Sequence, residues 1–430
     1  MSAIPDSDNV RSDSLVKRYL QVRQRSLDLC SPLKPDDYQV QPMDDASPPK
    51  WHLAHTTWFF ETFLLKHQPG YTVFHPAFEM LFNSYYNGVG EQYPRVKRGH
   101  LSRPVLEEVL AYRHHVDAHM QRLLERLLDP ETVFAVELGL NHEQQHQELI
   151  VTDLKYNLGN NPLKPAYHPP GRQFPDTPDQ RAPACRMFEY EGGLTQLGTD
   201  GADGFCFDNE TPRHEVYLQP FELASRPVTN GEFIEFIEDN GYHRPELWLS
   251  DGWAHLNRPG AERWEMPLYW RRQGQEYYQY ALHGEEPVNK EAPVCHVSLY
   301  EADAFARWQG ARLPREAEWE LAAAELPIAG NFADAGRLHP VITPSNEREP
   351  AGMFGDVWEW TQSSYGPYPG FRPFTGQLGE YNGKFMSNQL VLKGGSCATP
   401  RSHIRRSYRN FFYPPDRWQF SGFRLARDLP

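Results

Sequence analysis

Apolar residues in the first third of the chain recur every three to four positions, as they do along amphipathic helices. This spacing predicts four helices, over residues 12–29, 51–65, 102–127 and 141–159. Four amphipathic helices with a long connection between the second and the third are typical of a four-helix bundle. In the second helix His55 shares a stripe with Trp51 and Trp58, so it faces inward as either a hydrogen-bonded core residue or a ligand.

The hydrophobic pattern changes after the fourth helix. Seven prolines between Pro162 and Pro183 predict a stiff linker. The stretches that follow are short, and they predict two strands, 215–218 and 389–393, and two helices, 233–237 and 301–308. We therefore predict an α + (α+β) fold with a helical domain over residues 1–165, a linker over 166–184 and an α+β domain over 185–430.

The fourth helix carries a histidine pair. His142 and His146 are four residues apart in a run free of Gly and Pro, so both imidazoles lie on one helical face and can bind one metal ion. With Glu143 the run matches H-E-x-x-H, the zinc metalloprotease pattern in which the glutamate activates a metal-bound water. Alternatively, the pair belongs to a facial set on iron(II), completed by a histidine such as His55 from another helix and leaving positions open for substrates and oxygen. A zincin takes its third ligand downstream, where His168 lies in the proline-rich linker and is predicted to be exposed.

Length, charge and cysteine usage limit the possible functions. A chain of 430 residues exceeds what one core usually covers, which favours two domains. The net charge of -14 argues against a nucleic-acid or anionic-membrane partner. Five cysteines without a C-x-x-C pair predict reduced thiols and neither a disulfide framework nor a zinc cluster. The N-terminus lacks a signal-peptide pattern and no apolar run approaches about 18 residues, so we expect a cytoplasmic protein.

Five motifs in the second domain resemble those of the formylglycine-generating-enzyme family, whose fold is related to C-type lectins. They are P-R-H-E-V at 212–216, R-L-P-R-E-A-E-W-E at 312–320, G-D-V-W-E-W at 355–360, K-G-G-S at 393–396 and S-G-F-R-L at 421–425. In the first domain, W-H-L-A-H at 51–55 and H-E-Q-Q-H-Q-E at 142–148 resemble the DinB-like helical bundle. The fusion of these two domains over nearly the whole chain resembles the ergothioneine-pathway sulfoxide synthases, which are non-heme iron enzymes.

This resemblance implies an oxygen-dependent oxidoreductase with iron(II) bound to His55, His142 and His146. The implied reaction joins C2 of hercynine, the trimethylated betaine of histidine, to the sulfur of cysteine or γ-glutamylcysteine and oxidises that sulfur to a sulfoxide. Gln145 is implied to lie near the hercynine imidazole. Three neutral imidazoles suit this chemistry because they leave the full charge on iron(II) and open positions for thiol, hercynine and oxygen.

The reaction also needs an acid that protonates reduced oxygen, and a phenol is a suitable donor. In one branch of the family this tyrosine comes from the second domain, but the corresponding stretch here, residues 370–376, contains no tyrosine. Another branch uses a tyrosine of the first domain. We therefore predict that the catalytic acid is Tyr85 or Tyr86, in the long connection between the second and third helices.

A late run rich in arginine and aromatic residues predicts the thiol substrate. Users of γ-glutamylcysteine carry an acidic residue after the R-N-aromatic run, where this chain has Phe412. Since a phenyl ring cannot pair with the γ-glutamyl ammonium, we expect free cysteine, whose carboxylate would bind Arg95 or Arg98. The trimethylammonium of hercynine favours aromatic faces, for which the candidates are Phe411, Phe412 and Trp418.

Three other functions are compatible with parts of the sequence. The zinc metalloprotease is one of them. A formylglycine-generating oxidase would need reactive cysteines in the late arginine-rich stretch, and residues 402–412 contain none. A binding module without catalysis is compatible with a lectin-like fold, because a fold does not determine a function. The candidate ligand set of the first domain argues against that reading.

Overall fold

A computed structural model describes residues 7–168, 181–202, 204–260, 263–342 and 348–429. The chain divides into two compact units. The first contains Met1–Asn161 together with Thr375–Tyr381, and the second contains Pro162–Phe374 and Asn382–Pro430. The first unit therefore includes a short segment from late in the sequence.

The first unit is helical. Its described α-helices are α1, Ser7–Cys30; α2, Pro49–Phe63; α3, Phe78–Phe82; α4, Leu106–Leu124; and α5, Pro130–Asn160. Helix α2 packs against α4 and α5, and α1 packs against the same two helices. These neighbours bury α2 continuously from Pro49 to Thr62, whereas a surface helix is buried on one stripe only. None of the described helices is both long and apolar enough to cross a lipid bilayer.

Local sequence determines where α5 begins and how closely it approaches α2. The Asp129 carboxylate caps the helix by accepting the backbone N–H of Thr132 at 2.8 Å. Gly139 of α5 faces α2, and a Cβ added there would lie 2.7 Å from the ring of Phe60. The glycine therefore allows the two helices to approach closely one turn before His142.

The second unit combines short helices with short strands. Its described helices are α6, Asn230–Glu238; α7, Ser250–Leu256; α8, Leu299–Trp308; and α9, Glu316–Ala322. Its described strands are β1, Met187–Tyr190; β2, Gly193–Leu197; β3, His214–Leu218; β4, Phe221–Ala224; β5, Trp270–Gln273; β6, Glu276–Ala281; β7, Gly284–Pro287; β8, Trp358–Ser364; β9, Leu390–Lys393; β10, Asn410–Phe412; β11, Ser421–Gly422; and β12, Ala426–Asp428.

The described strands form four small sheets. Their strand orders are β1-β4-β12, β10-β9-β8-β11, β2-β3 and β5-β6-β7. Neighbouring strands are antiparallel except β8 and β11, which run parallel. On β8 the buried Glu359 pairs with Arg424 at 2.6 Å and accepts the indole N–H of Trp319 at 2.9 Å. These three residues come from three of the five motifs of the second domain, so those motifs build the core of this unit.

The element order confirms a helical region followed by a mixed region of helices and strands. Three local predictions differ from the structure. Helix α5 begins at Pro130 and not at 141, because Asp129 caps it there and buried apolar residues such as Val136 and Leu138 continue the inward face before His142. Helix α4 begins at Leu106 and not at 102, because Pro104 disfavours helical backbone in the residue before it. His168 is buried and not exposed, since its backbone N–H donates to the carbonyl of Leu282 at 3.3 Å. The short helix α9 was not predicted, because seven residues carry too little periodicity.

Candidate metal centre

Three histidines converge in the core of the first unit. His55 comes from α2, and His142 and His146 come from α5, where the four-residue spacing places them on one face. One ring nitrogen of each lies within 4.8 Å of the others, and all three side chains are buried. The structure thus brings together the three residues that the family resemblance implies as ligands.

The donor set fits a divalent transition-metal ion. The Nε2 atoms of His55 and His142 are 3.1 Å apart. Two nitrogens bound at about 2.1 Å from one ion and about 90° apart would lie about 3.0 Å from each other. Three imidazoles without a thiolate or carboxylate also match the nitrogen preference of iron, zinc, copper and nickel. The set fits a metal ion without selecting one of these.

Burial keeps the three imidazoles neutral. It lowers the pKa of His142 to about 3, against the opposing effect of the neighbouring Glu143 charge. Burial and the neighbouring histidines lower the pKa values of His55 and His146 well below their ordinary value. At neutral pH each ring therefore keeps a lone pair that a metal ion can use, and binding need not displace a proton.

His55 is held in place by its surroundings on three sides. Its Nδ1 donates to the carbonyl of Phe82 at 2.6 Å, which leaves the lone pair on Nε2. Its ring stacks between Trp51 and Trp58, with centroid distances of 4.6 and 5.5 Å and interplanar angles of 12° and 13°. The inward stripe predicted for this helix is therefore a stack of aromatic rings that orients one candidate ligand.

Glu143 points away from the histidines and is fully engaged. Its carboxylate accepts from Arg23 at 2.9 Å, from Ser26 at 2.6 Å and from Arg113 at 2.5 Å. Although burial alone would raise its pKa, Arg113 and Arg23 lower the pKa of Glu143 to about 2. A carboxylate so paired cannot take a proton from a metal-bound water, which argues against the metalloprotease reading of H-E-x-x-H.

Replacing Glu143 by alanine is expected to destabilise the protein by about 3–5 kcal/mol, because the buried Arg113 would lose its counter-charge and the buried Arg23 would keep only Asp117. Urea unfolding followed by circular dichroism measures the change. Glu137→Ala is the matched control on the same helix, because its pairing with Arg18 at 3.5 Å is partly exposed; its effect should stay below about 1 kcal/mol. Equal effects of the two substitutions would contradict this structural role for Glu143.

A tyrosine that sequence reasoning missed lies beside the histidines. The hydroxyl of Tyr381 donates to Oε1 of Gln145, and its ring centroid is 5.6 Å from that of His142. The Tyr381 ring is also 6.1 Å from Tyr85, which stacks on Tyr86 at 4.7 Å. The two predicted tyrosines and Gln145 are thus grouped with a third phenol from the segment Thr375–Tyr381.

The segment Thr375–Tyr381 is anchored to a loop of the same unit. The Glu380 carboxylate accepts the backbone N–H groups of Asn87 and Gly88 at 2.9 and 2.7 Å. The side-chain amide of Gln377 donates to the carbonyl of Gly88 at 2.7 Å. The loop that carries Tyr85 and the residues preceding Tyr381 therefore hold each other in place.

Burial raises the pKa values of Tyr85 and Tyr86 above the ordinary phenol value. Both phenols consequently stay protonated at neutral pH and can donate but not readily ionise. Tyr86 is completely buried and packs against Trp58 and Phe63. Tyr85 is half-buried and lies between Tyr86 and Tyr381 in the sequence of ring contacts.

The two arginines predicted to bind a carboxylate have different surroundings. Arg98 is buried, lies 3.4 Å above the Trp51 ring and donates to the hydroxyls of Ser47 and Ser84, each at 2.9 Å. Arg95 is exposed, and its guanidinium donates to the backbone carbonyl of Asp45. Arg98 therefore packs on Trp51, which in turn stacks on His55, while Arg95 lies at the surface. Carboxylate binding by either residue stays a prediction.

The three predicted aromatic contacts of hercynine belong to the second unit. Phe411 stacks on Tyr365 with ring centroids 4.0 Å apart and an interplanar angle of 12°. Phe412 meets Trp418 edge to face at 5.8 Å. All three predicted residues are half-buried, so each keeps some accessible surface. Their contact with a trimethylammonium group stays a prediction.

Comparison with known proteins places both parts of the chain in described families. Residues 18–150 match the DinB superfamily, and residues 173–429 match the sulfatase-modifying factor enzyme 1-like domain. A protein named hercynine oxygenase from Mycobacterium tuberculosis is 34% identical over 412 residues, covering 89% of this chain and 91% of the relative. A second hercynine oxygenase, from Mycolicibacterium thermoresistibile, is 32% identical over 448 residues, covering 96% and 95%. Because this chain is 32–34% identical to these proteins over nearly its full length, it belongs to the hercynine oxygenase family.

Proposed function

We propose that the protein is an iron(II)-dependent oxygenase of ergothioneine biosynthesis that joins C2 of hercynine to the sulfur of cysteine and forms a sulfoxide. The observation that carries this proposal is the buried, neutral set His55, His142 and His146 beside the Tyr381–Gln145 pair. In this proposal residues 1–165 form a DinB-like four-helix bundle that binds the metal, and residues 185–430 are the formylglycine-generating-enzyme-like domain. Residues 166–184 are proposed as a linker, of which 169–180 lie outside the described residues. The segment Thr375–Tyr381 completes the site of the helical unit.

The proposed reaction balances with dioxygen as the oxidant. Hercynine loses its C2 hydrogen and cysteine loses its thiol hydrogen, while a C–S bond and an S–O bond form. One oxygen atom enters the sulfoxide and the other leaves as water with both hydrogens. Three neutral imidazoles would leave the whole divalent charge on iron(II) and would leave coordination positions open for the thiol and oxygen. The protein must orient both organic substrates and deliver a proton.

Tyr381 is the proton donor in this proposal. Its Oη is the phenol oxygen in direct contact with Gln145, the residue next to the candidate ligand His146. Tyr85, whose ring is next to that of Tyr381, and Tyr86 behind it would hold this phenol in place and resupply its proton. The proposal thereby extends the predicted pair Tyr85 and Tyr86 by a residue whose ring lies 5.6 Å from that of His142.

Gln145 orients the acceptor substrate in this proposal. Its Oε1 accepts the Tyr381 hydroxyl, so its amide N–H groups are directed elsewhere. An amide N–H is a suitable donor to the neutral imidazole nitrogen of hercynine. Gln145 would therefore connect the substrate ring to the acid through one side chain, and replacing it would affect both orientation and proton delivery.

The two competing enzyme classes fit the structure less well. The metalloprotease would need Glu143 as a free base, and Arg23 and Arg113 already occupy its carboxylate. The formylglycine-generating oxidase would need reactive cysteines in residues 402–412, and the sequence has none there. Neither alternative uses the buried histidine set together with Tyr381.

Oxygen uptake by the purified protein tests the proposed function. Protein loaded anaerobically with iron(II) is expected to consume oxygen when hercynine and cysteine are both present, and to yield a hercynine–cysteine sulfoxide. Protein loaded with zinc should give no sulfoxide, because zinc has no redox chemistry. Casein cleavage by the zinc form without sulfoxide formation by the iron form would replace this proposal with the protease.

Cysteine is expected to be used about tenfold better than γ-glutamylcysteine in kcat/KM, equivalent to about 1.4 kcal/mol, because Phe412 leaves the γ-glutamyl ammonium without a partner. Competition between the two thiols, with products separated by mass spectrometry, measures the ratio. Phe412→Asp should shift it toward γ-glutamylcysteine. The control Tyr413→Asp adds the same charge at an exposed neighbouring position and should leave the ratio unchanged. A wild-type preference for γ-glutamylcysteine would contradict this assignment.

A further inference from the structure

His146 is the candidate ligand whose outer nitrogen contacts another histidine. Its Nδ1 lies 2.8 Å from Nδ1 of His52, and Nε2 of His52 lies 3.0 Å from Oδ2 of Asp153. All three side chains are buried. His52 sits one turn before His55 on α2, and Asp153 sits two turns after His146 on α5, so this chain of contacts links the two helices that carry the ligands.

The direction of the hydrogen bonds from His146 to His52 and from His52 to Asp153 follows from the carboxylate acceptor of Asp153. Oδ2 of Asp153 is an acceptor, since it takes the backbone N–H of Ser47, so its contact with His52 places a ring proton on Nε2 of His52. In the His52 tautomer that carries its proton on Nε2, the lone pair is on Nδ1, which accepts the hydrogen bond from Nδ1 of His146. The lone pair of His146 is thereby left on Nε2, the nitrogen available to a metal ion.

The Asp153 carboxylate is itself held in place. Oδ2 of Asp153 also accepts the backbone N–H of Ser47 at 2.8 Å. The hydroxyl of Ser47 in turn accepts from Arg98 at 2.9 Å, which brings a guanidinium charge close to the carboxylate. Asp153 is therefore anchored by a backbone group and does not depend on His52 for its position.

The other two candidate ligands lack an ionisable partner of this kind. His55 donates to the backbone carbonyl of Phe82, and Nδ1 of His142 has no hydrogen-bond partner among the described residues. Groups behind a metal-bound histidine fix its tautomer and ring orientation, and their loss typically costs about 10–100-fold in metal affinity. The contribution of such an outer group should thus be largest at His146.

We propose that His52 and Asp153 are positioning residues that set the tautomer and orientation of His146 and thereby strengthen metal binding. This inference rests on the proposed function, because it takes His55, His142 and His146 as the metal ligands. It assigns His52 a role in the metal site without direct contact to the metal or to either substrate.

Cobalt(II) affinity of the metal-free full-length protein, measured by competition with a chelator, tests this inference without any need for turnover. His52→Leu is expected to weaken cobalt binding about 10–100-fold and Asp153→Asn about tenfold. His52→Gln, whose carbonyl can still accept from His146, should recover part of the lost affinity. The visible absorption of bound cobalt should change in His52→Leu, because it reports the geometry of the ligands.

Glu61→Gln is the matched control for these variants. It alters a buried carboxylate on α2, the helix of His52, but the partners of this carboxylate are the hydroxyls of Tyr71 and Tyr112. Its cobalt affinity and spectrum should equal those of the wild type. A wild-type protein that is folded and binds no cobalt or iron would overturn the proposed function itself.

Wild-type cobalt binding together with unchanged affinity, within about twofold, in both His52→Leu and Asp153→Asn would overturn the positioning role alone and leave the ligand assignment intact. Circular dichroism establishes that each variant is folded. Should His52→Leu fail to fold, the isosteric Asp153→Asn decides the question, since unchanged affinity in that variant is sufficient to reject the inference.

Discussion

Replacing His55, His142 or His146 by alanine is expected to lower hercynine-dependent turnover at least about a thousandfold, equivalent to about 4 kcal/mol. Each residue supplies one of three converging nitrogens, and the loss of any one leaves two donors in a buried pocket. Two neutral imidazoles hold a divalent ion weakly, so iron should be lost as well as activity. Iron per chain, measured after anaerobic loading and gel filtration, and oxygen uptake give the two readouts.

His114→Ala is the control for the ligand variants, because His114 is exposed on α4. It should retain about one iron per chain and wild-type turnover. The ligand assignment fails if His55→Ala retains both iron and activity. The iron assignment fails if zinc-loaded wild-type protein forms the sulfoxide as fast as the iron form. The three alanine variants are compared only where circular dichroism shows that they are folded.

Tyr381→Phe is expected to change the product and not merely to slow the enzyme. The substitution removes the hydroxyl that contacts Gln145 and keeps the ring that packs beside His142. If that proton commits the reaction to C–S bond formation, its loss raises the barrier on that branch alone. A change of about 3 kcal/mol shifts the partition more than a hundredfold. Cysteine sulfinate should then become the main product while oxygen is still consumed, as mass spectrometry of the products can determine.

Tyr85→Phe and Tyr86→Phe are expected to change the ratio of sulfinate to sulfoxide less than Tyr381→Phe does. The Tyr85 ring contacts that of Tyr381 and the Tyr86 ring stacks on that of Tyr85, so in this account both act through Tyr381. Tyr71→Phe is the matched control, because its hydroxyl donates to Glu61 and not to Gln145. Sulfoxide as the main product of all three single variants would place the proton donor elsewhere. A larger shift in Tyr85→Phe or Tyr86→Phe than in Tyr381→Phe would return the role to the pair predicted from sequence.

The helices that carry the histidines could be predicted because their signals are local. Apolar spacing marks α2 and α5, and an i,i+4 pair on a helix necessarily shares a face. The stripe that contains Trp51, His55 and Trp58 follows from the same periodicity, and the structure stacks these rings. Local spacing alone left His55 undecided between a core residue and a ligand.

The role of Glu143 could not be predicted from its own motif. The letters H-E-x-x-H place the glutamate on α5 but do not determine which helices face it. In the structure Arg23 and Arg113, which are 120 and 30 positions away in the sequence, take up its carboxylate. Packing between helices decided the chemistry of this residue, and no local pattern encodes that packing.

Tyr381 was missed for a similar reason. The search for a tyrosine of the second domain covered residues 370–376, and the phenol lies five positions beyond that stretch. Its contact with Gln145 joins residues separated by 236 positions, so neither periodicity nor spacing indicates it. The pairing of His52 with His146 and Asp153 likewise joins two helices, although the spacing of His146 and Asp153 on one face was visible in the sequence.

Mass spectrometry of the product formed under ¹⁸O-labelled dioxygen tests most directly whether this chain is an oxygen-dependent sulfoxide synthase. Iron-loaded protein, hercynine and cysteine are combined under labelled oxygen in unlabelled water. We predict a hercynine–cysteine sulfoxide that carries one labelled oxygen atom on sulfur. An unlabelled sulfoxide, a thioether without added oxygen, or no hercynine–cysteine product from the iron-loaded protein would contradict this function.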